Sequence, residues 1–262
     1  MTRPIHTVGE WRRLRADAGL EQGTLGLVPT LGALHAGHAA LLRRSLAEND
    51  VTVVSIFLNP TQFDDPADLE SYPGSLAADL ATARELGVDY AFCPTAGEMY
   101  PFGYRYRVTE DDASRRLCGA RRPGHFDGVL TVVLKLLLAI RPTRAYFGEK
   151  DYQQLDLVRD MARDFFLDVD VVACPTVRHP DGLAVSSRNA LLSPAQRALA
   201  PRFPAALAAP GEPAAAARRL AELGFAVDYV EDRGDRRYGA VRLGGVRLID
   251  NLPLAAASEA GS

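Results

Sequence analysis

The sequence predicts an α/β chain, a doubly wound parallel sheet followed by a small α+β domain. Three observations carry that expectation. Strand-like and helix-like stretches alternate from residue 24 to residue 174, and strands separated by helices pair in parallel through right-handed crossovers. The run Val51 to Leu58 (VTVVSIFL) is almost wholly apolar and β-branched, as an interior strand covered on both faces must be. Near Ser193 the composition shifts to a stretch rich in Ala and Pro.

In chain order, Thr24 to Pro29 is short, apolar and bounded by Gly, which reads as a buried strand. His38 to Glu48 is a helix with Ala39, Leu42 and Leu46 on one face. Val51 to Leu58 is the next strand. Ser75 to Leu86 is a helix that Gly87 can cap, and Val88 to Phe92 is a strand. Val129 to Ile140 is a helix with Thr131 and Lys135 four apart on one face. Ala145 to Phe147, Tyr152 to Phe165 and Val169 to Cys174 complete a Rossmann-like order of strand, helix and strand. From Pro194 to Ala217, Pro201, Pro204, Pro210 and Pro213 break any long helix. A helix from Ala214 to Leu223 and strands at Ala226 to Glu231, Tyr238 to Leu243 and Val246 to Ile249 follow. The expected domains are residues 1–189 and 190–262, with a disordered tail from Ala255 to Ser262.

Charge and composition narrow the function. Thirty Lys and Arg stand against 33 Asp and Glu, a net charge of −3, so overall charge gives no reason to expect a nucleic-acid partner. Cys93, Cys118 and Cys174 are far apart and form no CxxC pair, as small buried hydrophobes in a reducing compartment would be. The longest apolar stretch, Val129 to Ile140, contains Lys135 and is too short to span a bilayer. Met1 to Leu14 lacks a signal-peptide apolar region. The expectation is a soluble cytoplasmic protein with no membrane partner.

On a doubly wound sheet, ligands lie beyond the carboxyl ends of the strands, so the loops there are where chemistry is sought. The first loop, Pro29 to His38, runs from strand to helix, where backbone N–H groups and the helix dipole favour a phosphate. Gly32 and Gly37 permit close approach, and His35 and His38 can donate to a polyphosphate. The bland alternative is a surface loop with two solvated histidines. The second loop, Asn59-Pro60-Thr61-Gln62-Phe63, offers neutral amides suited to a hydroxyl or carboxylate, or is a plain Asn-Pro turn. In the third, Gly148-Glu149-Lys150-Asp151, the lysine can meet a phosphate and the aspartate can cap the helix or hold Mg²⁺. Of Gln153 and Gln154, which point differently, at most one faces a ligand. The fourth, Val185-Ser186-Ser187-Arg188, is an anion-binding set or an ST-turn. The basic stretch Arg121 to Phe126 binds an anionic substrate or is solvated.

Together the strings VPTLGALHAGH, NPTQF, RRPGHFDGV, FGEKDYQQL and DGLAVSSRNALL, in this order from about Leu27 to Leu192, resemble the pantoate–β-alanine ligase family. RLIDN at Arg247 to Asn251 resembles that family's closing strand. Its HxGH, here His35 to His38, and its xSSR, here Val185 to Arg188, correspond to the HIGH and KMSKS signatures of class I aminoacyl-tRNA synthetases. The family usually has Met where Leu31 and Val185 stand and commonly Asn where Ala139 stands, and its C-terminal domain is longer.

The resemblance implies condensation of pantoate with β-alanine through a pantoyl adenylate, releasing AMP and pyrophosphate, with ATP as co-substrate, Mg²⁺ as cofactor and a homodimeric assembly. Carried over by position, Leu31, Gly32, Ala33, Leu34, His35, Ala36, Gly37, His38, Gly148, Glu149, Lys150, Asp151, Val177, Val185, Ser186, Ser187 and Arg188 contact ATP. His38, His35, Lys150, Ser186, Ser187 and Arg188 are the catalytic set, and Gln62 and Gln154 hold pantoate, with Gln62 near β-alanine. Two other readings stay open. A related nucleotidyltransferase would release a stable nucleotide conjugate, and a non-catalytic nucleotide binder would need a damaged site. The amine that triggers AMP release separates them.

Overall fold

The computed structural model describes residues 2–20, 22–70 and 72–254. The expected disordered tail, Ala255 to Ser262, lies outside the described residues. The chain divides into two units, Met1–Val177 and Arg178–Ser262, each taken by itself below.

The first unit is built on six parallel strands: β1 (Arg3–Ile5), β2 (Leu25–Thr30), β3 (Val51–Ile56), β4 (Tyr90–Phe92), β5 (Arg144–Gly148) and β6 (Asp170–Cys174). Their order across the sheet is β1-β4-β3-β2-β5-β6. Successive strands run outward from β2 through β3 to β4, then the chain crosses back to place β5 on the other side of β2. The crevice at such a reversal, beyond the carboxyl ends of β2 and β5, is where doubly wound sheets hold ligands.

Helices α1 (Val8–Asp17), α2 (Ala36–Glu48), α3 (Pro66–Glu70), α4 (Leu76–Leu86), α5 (Ala96–Met99), α6 (Cys118–Arg121), α7 (His125–Ile140) and α8 (Tyr152–Asp164) connect the strands. Ser75 caps the start of α4, and Gly87, at φ 84°, ends it as the sequence leads one to expect. The core gathers Val28, Leu42, Val54, Ala83, Val88, Ala91 and Tyr146, none more than 1% exposed. Each large side chain of this set contributes roughly 1.5–3 kcal/mol by leaving water.

Three features differ from the sequence reading. Strand β1 and helix α1 went unread, because three residues show no period and α1 buries only Trp11 and Leu14. Trp11 nonetheless anchors the helix, its indole N–H donating to the Ile140 carbonyl at 3.2 Å. Helix α7 begins four residues early, at His125, after Gly124 turns the chain at φ 79°. Thr131, read from the sequence only as sharing a face with Lys135, is buried: it donates to the Asp127 carbonyl and accepts from the Val108 N–H, so residues near 100–108 cover that side of α7.

The second unit packs α9 (Pro194–Leu199), α10 (Arg202–Ala208) and α11 (Pro213–Glu222) with an antiparallel sheet of β7 (Ala226–Arg233), β8 (Arg236–Leu243) and β9 (Val246–Pro253). The helical prolines stand in or just before first turns, where a missing N–H costs nothing. Gly234 (φ 57°) and Gly244 (φ 61°) occupy the first position of two-residue hairpin turns. The strands run longer than their apolar pattern because Arg233, Arg236 and Arg237 close the β7–β8 ladder. Arg237 stays inside by pairing with Asp232 at 2.7 Å and donating to the carbonyls of Leu207, Ala209 and Gly211.

Candidate active site

Loop 31–38 carries the two histidines from the end of β2 into α2. His35 is the N-cap: its Nδ1 accepts the N–H groups of Gly37 (3.1 Å) and His38 (3.4 Å), while Nδ1 of His38 accepts the His35 N–H at 3.4 Å. The rings stack, centroids 4.0 Å apart and 14° from parallel. With both Nδ1 atoms accepting, the neutral rings carry their protons on Nε2, on the side away from the helix turn. His38 is half-buried, yet its pKa is pushed down to about 3, first by burial and then by His35, with Lys150 adding to the drop and Asp151 opposing it. The ring is therefore neutral at pH 7, a directed hydrogen-bond donor rather than a cation. Lys150 and Asp151, in the loop after β5, are near enough to act on His38 electrostatically.

Most backbone N–H groups of this loop already have partners inside the protein. Gly32 N–H donates to Thr30 Oγ1, and Ala33 and Leu34 donate to Asp79 at 3.0 and 2.7 Å. His35, Gly37 and His38 donate to imidazole nitrogens, as above. At the helix start the Ala36 N–H is left without a protein partner among the described residues, and imidazole N–H stands beside it.

Gln62 sits in a 3-10 turn, Pro60–Gln62, that follows β3. Asn59, fully buried, fixes its side chain. Asn59 Oδ1 accepts from the Thr61 N–H, from Thr61 Oγ1 and from the Tyr100 hydroxyl, while its Nδ2 donates to the Gly128 carbonyl. Backbone groups cannot exchange donor for acceptor, so the orientation of Asn59 is set, and its Nδ2 meets Oε1 of Gln62 at 2.9 Å. Gln62 thus presents its NH₂. Gly128 is needed here, since a Cβ on it would lie 2.3 Å from the Thr61 carbonyl oxygen.

Arg122 and His125 are partly buried and make their hydrogen bonds inside the protein. His125 Nδ1–H donates to the Gln62 carbonyl at 2.8 Å, and Arg122 donates to His125 Nε2 (3.1 Å), to the same carbonyl (3.3 Å) and to Asp64 (2.8 Å). Burial, and next the Arg122 guanidinium, hold the His125 pKa down at about 4. The basic stretch clamps the backbone of the residue whose amide faces out.

After β5, which ends at Gly148, residues Glu149, Lys150 and Asp151 form another 3-10 turn. Lys150 is mostly buried and lies 3.6 Å from the more open Asp151. Asp151 does not cap α8 with its side chain. Gln153 is spent on structure, accepting from the Cys118 N–H and donating to the carbonyls of Ala113 and Arg116. Gln154, one position on, is half-buried and has no hydrogen-bond partner among the described residues.

Val177 ends the first unit; Val185, Ser186, Ser187 and Arg188 belong to the second. There Ser186 Oγ accepts the Arg188 N–H, the ST-turn that the sequence allows. Asn189 ties the turn to the Ala184 carbonyl and His179, and Arg178 forms a two-pronged ion pair with Asp250, 2.7 and 2.9 Å, in β9. That pair gives the RLIDN string a structural role. Sequence reasoning missed Asn59, Asp79, Arg122 and His125 as supports of the site. All four act through backbone groups or another side chain, and spacing carries no signal for that.

A family model described as pantoate-beta-alanine ligase matches residues 3–253. The pantothenate synthetase of Bdellovibrio bacteriovorus is 51% identical over 254 residues, 97% of this chain and all of that one. That of Coxiella burnetii is 47% identical over 97% of this chain and 98% of its own. Among solved structures, the pantoate-beta-alanine ligase of Francisella tularensis, complexed with beta-gamma ATP and beta-alanine, superposes with a TM-score of 0.92 at 37% identity, covering 97% of this chain and 98% of that one. The pantothenate synthetase of Thermus thermophilus follows at 0.88 and 43%, covering 96% and 99%. The chain belongs to the pantoate–β-alanine ligase family.

Proposed function

We propose that this enzyme condenses pantoate with β-alanine at the expense of ATP, through a pantoyl adenylate formed at the carboxyl edge of the first unit's sheet. The observation that carries the assignment of residues is the pairing, on one sheet edge, of two outward imidazole N–H groups with the outward NH₂ of Gln62. The first set suits phosphate oxygens and the second a carboxylate or hydroxyl oxygen.

A pantoate carboxylate oxygen attacks the α-phosphorus, the bond from that phosphorus to the bridging oxygen breaks, and pyrophosphate leaves with the electron pair. His35 and His38 donate to phosphate oxygens from fixed positions, and Lys150 supplies the positive charge that neutral imidazoles lack. Gln62 and Gln154 hold pantoate. The β-alanine amine then attacks the acyl carbon and AMP departs. With Nδ1 engaged and Nε2 protonated, neither histidine takes the amine's proton, which leaves through phosphate oxygen or solvent. We assign Leu31 to His38, Gly148 to Asp151, Val177 and Val185 to Arg188 to ATP on the resemblance of their strings.

Among the described residues no group of three or more His, Cys, Asp or Glu side chains could hold a metal ion. Mg²⁺ in this reading travels on the triphosphate, where it offsets charge, with Asp151 the carboxylate open to it. No helix among the described residues is long and apolar enough to cross a membrane. The three cysteines are buried and form no disulfide among the described residues, which supports a cytoplasmic setting. We also read the enzyme as a homodimer, with the exposed Phe102 and Tyr106 as apolar surface for a second copy to cover; light scattering tests this.

The deciding experiment follows labelled pyrophosphate into ATP. ATP and pantoate alone are expected to exchange, and AMP release is expected to require β-alanine. Absence of exchange, with full turnover once β-alanine is added, overturns the free adenylate.

A further inference from the structure

Asp79 has no part in the chemistry described above, yet it is 4% exposed and lies directly beneath the nucleotide loop. It stands in the first turn of α4, on the crossover from β3 to β4. Its Oδ2 accepts the Ala33 N–H at 3.0 Å and its Oδ1 the Leu34 N–H at 2.7 Å. Between those contacts the chain does something costly. Ala33 adopts φ 52°, the left-handed region that residues with a Cβ avoid, immediately after Gly32 at φ 90°. A Cβ on Gly32 would lie 2.8 Å from Asp79 Oδ2, so the missing side chain at Gly32 makes room for this carboxylate.

A buried negative charge under a loop that receives a triphosphate works against binding, so attraction to the nucleotide does not explain it. Its two acceptor oxygens match two N–H groups of the turn that leads into helix α2, and they do so at the residue whose conformation needs holding. The next residues are Leu34 and the capping His35, so the left-handed turn sets where the histidine pair starts.

We propose that Asp79 is a positioning residue for adenylate formation, holding the Ala33 turn so that His35 and His38 meet the phosphates. This rests on the reading that loop 31–38 binds ATP.

The test compares pyrophosphate exchange, KM for ATP and for pantoate, and thermal unfolding across Asp79→Asn, Asp79→Glu, Asp79→Asn with Ala33→Gly, and His38→Ala. Asn keeps one acceptor and turns an NH₂ toward the second N–H. Misplacement on the ångström scale can cost on the order of 100-fold, so exchange in Asp79→Asn is expected to fall about 10–100-fold, while KM for pantoate moves less than about 3-fold. Gly reaches a left-handed φ unaided, so adding Ala33→Gly is expected to restore about 5-fold or more of the loss. A residue that only stabilised the fold would lower unfolding temperature and all kinetic terms together, and Ala33→Gly would restore nothing. Exchange within about 2-fold of wild type in a folded Asp79→Asn overturns the proposal. If that variant does not fold, Asp79→Glu decides, since it keeps both oxygens but displaces them: wild-type exchange there overturns the proposal equally. Wild-type exchange in His38→Ala would instead remove the reading of the loop itself.

Discussion

Asn59 Nδ2 lies 2.9 Å from Oε1 of Gln62, and that one contact decides which end of the glutamine amide is left unengaged. Because Asn59 is itself oriented by the Thr61 N–H and the Gly128 carbonyl, the site presents donors where a freely rotating amide would present either face. An amide read from sequence alone offers pantoate a donor and an acceptor together. The structure engages Oε1 with Asn59, so in the proposed site only NH₂ is offered to pantoate.

The first prediction separates acid recognition from nucleotide chemistry. Gln62→Ala leaves substrate oxygens unpaired, costing on the order of 1–3 kcal/mol, or about 10–100-fold in pantoate affinity. Asn59→Asp repels Oε1, turns the Gln62 amide over, and is expected to weaken pantoate similarly. Calorimetric titration with pantoate and with an ATP analogue reads both; equal weakening of the two ligands refutes the pantoate role.

Removal of either phosphate-directed group should act on turnover. His38→Ala and Lys150→Ala are expected to lower kcat by about 10²–10³, with smaller effects on KM. Since His38 titrates near 3, the pH profile of pyrophosphate exchange should show no break near 6.5. A break there that vanishes in His38→Gln would contradict the neutral-donor assignment.

His125 predicts an acid weakness. Its pKa is about 4 in the fold against the 6.5 of an ordinary histidine, so between these the unfolded chain binds more protons. Stability from this ring is therefore full above pH 6.5 and is lost as pH falls toward 4. The residue is only partly buried, so the slope stays below the roughly 1.4 kcal/mol per pH unit of a fully buried group. His125→Gln can donate to the Gln62 carbonyl and accept from Arg122 without titrating. Melting curves at about pH 4.5 and 7, either side of most of that titration, should show a smaller acid loss for that variant; an identical loss excludes His125 as the cause.

In the second unit, Arg178→Ala strands the Asp250 carboxylate, whose side chain is 1% exposed. Losing one partner of such a pair costs about 3–5 kcal/mol. Chemical denaturation followed by probes in that unit checks it, and a change under about 1 kcal/mol would show that solvent reaches Asp250.

The fold was legible where periodicity and punctuation agree. Val51 to Leu58 read as an interior strand, and the Ser75 and Gly87 caps bounded α4 nearly to the residue. Strand β1 was not legible because its stability comes from pairing with Tyr90–Phe92, and the same long-range contact continues 87 positions apart between His6 and Cys93. At the site, the loops could be read because Gly, His and Lys cluster after strands. Their supports could not: Asp79 looks like any first-turn acid, and Arg122 like any surface arginine, until their backbone partners are known.

The placement of β2 in the middle of the sheet has a consequence for how the enzyme is made. Its Leu25 N–H donates to Thr143 Oγ1, 118 residues further on, and its second neighbour β5 does not exist until then. A ribosome adding roughly 5–20 residues per second needs on the order of three to ten seconds between finishing β4 and delivering β5. During that interval the nascent chain holds an open apolar strand edge, the feature that invites mispairing between neighbouring chains on a polysome. In that interval His35 and His38 are already translated while Lys150, which the proposed chemistry sets beside them, is not.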